Sequence, residues 1–195
     1  MSKKAFLLFP VFLFAIFFLF SCSGLSGNRE SYSFHYNKGL EEYRDGNMDA
    51  AAQHFQKALK NNPRSANAHY YLGNIYASRG RSDLAIEGFH RALGLEPGFP
   101  EAAYNLGTLY LKTGHPLEAI RLLERAVLLN PEDDNAFVNL GKAYYIAGMP
   151  ELAGAACEEA LMINPDNRNA KKNLEALEHA AREFEYNENL NPEKE

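Results

Sequence analysis

From Tyr32 to Asn167 the apolar residues recur at helical spacing, i, i+3, i+4 and i+7, rather than at every second residue. The pattern predicts helices. Small and apolar positions also return every 34 residues: glycines at Gly39, Gly73, Gly107 and Gly141, then at Gly46, Gly80, Gly114 and Gly148. Alanines follow at Ala51, Ala85, Ala119 and Ala153 and at Ala58, Ala92, Ala126 and Ala160, and each copy closes at Pro63, Pro97, Pro131 or Pro165. Self-similarity at such a period predicts stacked copies of one unit, none able to bury its apolar face alone.

Each unit divides into two helices of about a dozen residues joined at its second glycine. A helix entering the left-handed region favours glycine there, because a side chain costs energy. Pro116 and Pro150 follow two of these turns at the first helical position, where a missing N–H is no loss. The second helix stops at Asn62-Pro63, Glu96-Pro97, Asn130-Pro131 and Asn164-Pro165, since proline disfavours helix in the residue before it. Small residues let the paired helices approach, while Tyr76, Tyr110 and Tyr144, with Phe55, Phe89 and Leu123, fill the spaces between units.

The Leu72-Gly73-x-x-Tyr76 core, the Ala85-x-x-x-Phe89 pair and the terminal Pro97 resemble the tetratricopeptide repeat. The resemblance spans residues 32–167 in four copies (32–65, 66–99, 100–133 and 134–167) and implies an all-α, right-handed solenoid of four helical hairpins. Lys38 and Glu42 depart from the pattern in the first copy, where no earlier unit needs covering, and Cys157 replaces the usual Phe in the fourth. Residues 168–186 continue the helical pattern as a solvated C-terminal capping helix. Residues 187–195 are polar and acidic, and are expected to be a disordered tail.

The N-terminus has a different composition. Lys3 and Lys4 precede an apolar run, Ala5–Phe20, that holds seven of the thirteen phenylalanines. At 16 residues it is short of the ~20 needed to span a bilayer, so residues 1–21 read as a signal peptide. The Leu19-Phe20-Ser21-Cys22 sequence resembles a bacterial lipobox, although Phe20 stands where a small or β-branched residue is usual. The resemblance implies lipidation (palmitate among the acyl groups) of Cys22, a flexible tether over 22–31, and an outer-membrane protein facing the periplasm, the absence of aspartate at Ser23 favouring that sorting. Cys157 would then be unpaired, leaving no intrachain disulfide. Without Lys3 and Lys4, 18 basic residues face 25 acidic ones, a net of −7, which argues against nucleic acid as a partner.

No enzyme motif is present. The six histidines fall at scattered repeat phases, without a metal-ligand spacing, paired cysteines or a phosphate loop. The neighbours Glu41 and Glu42, or Glu158 and Glu159, point in different directions on a helix, and Asp133 and Asp134 read as caps of the helix they precede. No cofactor, metal or small-molecule substrate is expected.

In the resembled family the first helix of each repeat lines the concave side. The matching stripe here is Ser33, Tyr36, Asn37 and Leu40; Asn67, Tyr70, Tyr71 and Asn74; Glu101, Tyr104, Asn105 and Thr108; Asn135, Val138, Asn139 and Lys142; then Asn169, Lys172 and Asn173 on the capping helix. Asparagine amides suit a peptide main chain, and tyrosines offer apolar area with a polar tip. The packing argument leaves Asn67, Tyr70, Tyr71 and Asn74 unused, as the expected binding surface, and an adaptor that uses this groove should lose partner capture when Tyr71 and Asn105 are replaced with alanine, with helical content and melting unchanged. Asn74 and Asn105 match the asparagines of the family's carboxylate clamp, but Tyr36 or Tyr70, Asn135 and Asn139 occupy its basic places, so that clamp is not expected. The expectation is a non-enzymatic adaptor, lipid-anchored in the envelope, that binds peptide segments of other envelope proteins. Pilus secretin assembly, outer-membrane protein insertion and cell-wall hydrolase control stay open as settings, as do a soluble exported protein and an enzyme with an unrecognised site.

Overall fold

The computed structural model describes residues 31–190. The expected signal peptide, Cys22, nearly all of the tether and residues 191–195 lie outside the described residues. Among these residues the chain forms nine helices and no strand: α1 (31–44), α2 (Met48–Asn61), α3 (Ala66–Ser78), α4 (Ser82–Leu95), α5 (Pro100–Lys112), α6 (Pro116–Leu129), α7 (Asp134–Ile146), α8 (Pro150–Ile163) and α9 (Arg168–Leu190). The helices pair as α3/α4, α5/α6 and α7/α8, α1 meets α2 where Gly39 faces Phe55, and α9 packs on α8 and α7. Successive first helices also touch, α3 on α5, α5 on α7 and α7 on α9, which places them along the inner side of the stack.

Both glycine series have a physical role. Gly46, Gly80, Gly114 and Gly148 have φ of 80°, 69°, 81° and 77°, the left-handed turn expected between paired helices. The other series sits where the helices cross. A Cβ at Gly39 would lie 2.9 Å from the Phe55 ring, at Gly73 2.7 Å from Phe89, at Gly107 2.8 Å from Leu123 and at Gly141 3.0 Å from the Cys157 sulfur. Phe55, Phe89, Leu123 and Cys157 are all fully buried. Phe55 also stacks on Tyr71 of the next unit, at 5.1 Å and 4° between planes, so one ring joins its own hairpin to its successor.

Each later unit begins at a cap supplied by the preceding loop. Ser65 accepts from the Ala68 N–H, Asp133 from Ala136 and Asn167 from Ala170, whereas α5 opens instead with Pro100 after Phe99. Asp133 is thus the cap, but Asp134 has a different role from the one expected. Its carboxylate accepts from the side-chain amides of Asn164 (2.6 Å) and Asn167 (2.8 Å), tying α7 to the loop before α9; these donors, Asn167 first, hold its pKa below the ordinary range.

At the open first unit, Lys38 pairs with Glu41 (2.9 Å) and Glu42 (3.5 Å) on the uncovered face. His35 and His54 bring their Nδ1 atoms within 3.2 Å across α1 and α2. At the other end, α9 runs to Leu190 and so includes four residues expected in the tail. Nothing from Tyr186 to Leu190 breaks a helix, and the first proline after them is Pro192.

Gly73→Ala should lower stability by about 1–2 kcal/mol in urea unfolding, crowding against Phe89 outweighing the gain in helix propensity. Gly154→Ala, where a Cβ meets nothing within 4 Å, should stabilise by up to about 1 kcal/mol. Equal effects of the two would discount the crossing contact.

Burial, and secondarily the neighbouring His35, lower the His54 pKa. The unfolded chain then binds more protons than the folded one below the ordinary histidine pKa, so stability falls as pH drops through about 6.5. His54→Gln should flatten the melting-temperature profile between about pH 7.5 and 5.5.

Candidate peptide-binding groove

The inner stripe separates into two populations. Asn37, Asn67, Glu101, Asn135, Lys142, Asn169 and Lys172 are exposed. Tyr36, Tyr70, Tyr71, Asn74, Tyr104, Asn105, Thr108, Asn139 and Asn173 are half-buried, and most are held by contacts between units.

The half-buried asparagines form a ladder. Asn105 donates through Nδ2 to Asn74 Oδ1 (2.8 Å) and Tyr70 Oη (3.3 Å), and one unit later Asn139 donates to Tyr104 Oη (3.0 Å) and Thr108 Oγ1 (3.1 Å). These bonds span 31 and 35 residues, so the repeat length brings each asparagine beside two partners in the preceding unit. Burial pushes the Tyr70 and Tyr104 phenols above their ordinary range, and they stay neutral acceptors at physiological pH. Between the first two units, Tyr71 stands in the asparagine's place. It meets Tyr36 at 6.4 Å and Tyr43 at 5.2 Å, replacing a polar rung with an aromatic one, and burial raises Tyr36 to about 12.

A second ladder runs between each second helix and the next first helix. Gln56 donates to Tyr76 Oη, His90 contacts Tyr110 Oη and Tyr144 donates to Glu124, at 3.2, 3.0 and 2.7 Å. The chemistry differs in each rung while the spacing of 20 residues is kept. Phe99, just before α5, packs its ring on Tyr70 at 4.8 Å.

Tyr70, Tyr71 and Asn74 are therefore not surplus to packing as the sequence suggested, and Asn105 is held with them. Asn105 has both amide protons' direction committed to the preceding unit, and Tyr71 covers Phe55, so both are parts of the scaffold. The exposed set alone is available to a ligand without rearrangement. It offers amides at Asn37, Asn67, Asn135 (whose Nδ2 donates to Asp134 Oδ1 at 3.2 Å, leaving its Oδ1 to a ligand) and Asn169, and two cations, Lys142 and Lys172, for which the described residues show no ion pair. Among the described residues there is also no cluster of three metal-ligating side chains, and no helix is long and apolar enough to cross a membrane.

Asn139→Ala should cost about 1–2 kcal/mol in urea unfolding, since the buried Tyr104 hydroxyl loses its donor, and a double-mutant cycle with Tyr104→Phe should show coupling. Asn135→Ala, on the same helix but exposed, should change stability by less than about 0.5 kcal/mol. An equal effect of the two substitutions would remove the ladder from the account.

A family model described as tetratricopeptide repeat matches residues 36–103 and 104–170. No curated protein matches at a significant level. Solved structures do. A crystal structure of MamA protein shares 25% identity with a TM-score of 0.72, covering 85% of this chain and 96% of that one. PilF of Pseudomonas aeruginosa shares 26% at TM-score 0.70, covering 81% and 72%. YrrB, described as having an unusual peptide-binding site, shares 25% at TM-score 0.73, covering 83% of each chain. With the repeat model matched across more than half its length, and its helix pairs stacked in the same way, this chain belongs to the tetratricopeptide repeat family.

Proposed function

We propose that this chain is a non-enzymatic adaptor that holds a peptide segment of a partner protein along the inner face of its repeats. The observation that carries the reading is the division of that face: ladder residues fix its shape, and a row of exposed amides and two cations stands on the fixed surface. A preformed site spends little of its interaction energy on ordering side chains. Two similar structures support the peptide as ligand, YrrB by its described peptide-binding site and the first repeat domain of Spaghetti, 25% identical at TM-score 0.58 over 60% of this chain, by its bound HSP90 peptide.

We further propose that the protein is anchored in the cell envelope by lipid on Cys22 and recruits segments of other envelope proteins. The support is the order of basic start, short apolar run and cysteine in residues 3–22. Several acyl chains hold a protein on a membrane durably, whereas one is marginal. An acidic protein surface would contribute little attraction to anionic lipid.

Pull-down from native envelope with Asn67→Arg and Asn135→Arg should recover partners at least tenfold less than the native chain, with helical content and melting unchanged. Full recovery by that double variant would overturn the groove. Mass spectrometry of the mature N-terminus should find an acylated Cys22, and an unmodified Cys22 or cleavage elsewhere would remove the anchor while leaving the groove intact.

A further inference from the structure

The four units are not filled alike. Against the crossing glycine the first three place Phe55, Phe89 and Leu123, and the fourth places Cys157. A thiol occupies far less space than a ring. Beside it lies a cavity of about 340 Å³ between α7, α8 and α9, with Gly141 and Cys157 at its base and Tyr145, Ile146 and Leu177 on its walls. That is the size of a small ligand pocket.

Its mouth is open and apolar. Tyr145 is 53% and Ile146 51% exposed, although both belong to a helix whose other face is core. The polar ladder also ends here. Asn173 occupies the place of Asn105 and Asn139, but opposite it stand Val138 and Lys142, which offer no acceptor, and its side chain bonds to the Cys157 thiol instead. Lys142 is the one charged side chain among the described residues that line the cavity, and Lys172 precedes the lining Asn173 on α9.

The chain carries a segment of matching chemistry. Residues 183–188 read Glu-Phe-Glu-Tyr-Asn-Glu, two aromatics among three carboxylates, near the end of α9. Residues 178–183 are exposed throughout and Tyr186 is 66% exposed, so this end of α9 extends beyond the solenoid it caps. It cannot enter its own hollow. Tyr186 lies nine residues beyond Leu177 on one helix, about 13 Å further along. The N-terminal apolar run, Ala5–Phe20, is a poorer fit, because it carries no charge and the lysines before it, Lys3 and Lys4, have the same sign as Lys142.

We infer that the hollow beside Cys157 receives the aromatic and acidic end of α9 from a second copy of this chain, an aromatic ring filling the space that Phe55 and Phe89 fill elsewhere while the glutamates face Lys142 and Lys172. The contact is one ring deep with a charged rim. It is therefore weak and sensitive to salt.

The test titrates the full chain, in detergent, into a fluorescein-labelled synthetic peptide of residues 178–190 and reads anisotropy. The peptide should bind, and replacing its two aromatics with alanine should weaken binding at least tenfold. Cys157→Phe should fill the hollow and abolish binding while the chain still melts cooperatively. If that ring does not fit, Cys157→Leu, which copies Leu123, serves the same purpose. A chain with Lys142→Glu and Lys172→Glu should lose self-association and regain it when mixed with a chain carrying Glu183→Lys and Glu185→Lys, read by sedimentation in density-matched detergent.

Native-like binding to a folded Cys157→Phe chain would overturn the inference, as would absence of binding at about 1 mM peptide. A chain that stays monomeric while an unrelated acidic peptide enters the hollow would also overturn it, giving the site to a different partner. Cys157→Phe changes none of the exposed groove residues, so a folded Cys157→Phe chain that loses the peptide of residues 178–190 but still recovers envelope partners separates the hollow from the groove, which Lys142 and Lys172 share.

Discussion

The close approach of the two helices in each unit is the constraint on which the rest depends. A glycine on the first helix lies against a side chain of the second with no space for a Cβ, as at Gly73 and Phe89. Because the helices are that close, the filling residue reaches through to the next unit, where Phe55 meets Tyr71. Stacking of units follows from packing within them. The same dependence makes the fourth unit different, since the change to Cys157 alters its own crossing little and leaves its outer side hollow.

The inner face shows how a scaffold and a site share one surface. Tyrosine and asparagine suit both tasks, having apolar bodies or amides that bond either to a neighbouring unit or to a ligand. Here the 34-residue repeat decides which. Where a repeat places an asparagine amide beside a tyrosine hydroxyl in the preceding unit, as for Asn139 and Tyr104, the pair closes internally. Residues one turn away, such as Asn67 and Asn135, have no such partner and face solvent. The resulting surface is rigid underneath and polar on top.

The helices, their turns and their stacking were legible because each rests on local chemistry repeated in register. Glycine at a left-handed turn, proline after a helix and alanine at a crossing keep the same meaning in every copy. The stripe was also legible as a stripe. Which of its members were free was not, because Asn74 and Asn105 look alike in sequence to Asn67 and Asn135. Asp134 illustrates the same limit. Its position suggested a cap, yet its partners, Asn164 and Asn167, lie 30 and 33 residues away.

The sequence by itself determined the class of fold, the number of units, the handover from solenoid to capping helix and the absence of any recognisable catalytic motif, since these follow from periodicity and residue type. Tertiary structure decided which polar groups are spent on the scaffold, how far α9 extends, and that the substitution at Cys157 leaves open space rather than a collapsed core. The physical reason is that hydrogen-bond partners and cavities are set by distances between units. A chain read in one dimension shows what each residue can do, and packing in three dimensions fixes what remains for it to do.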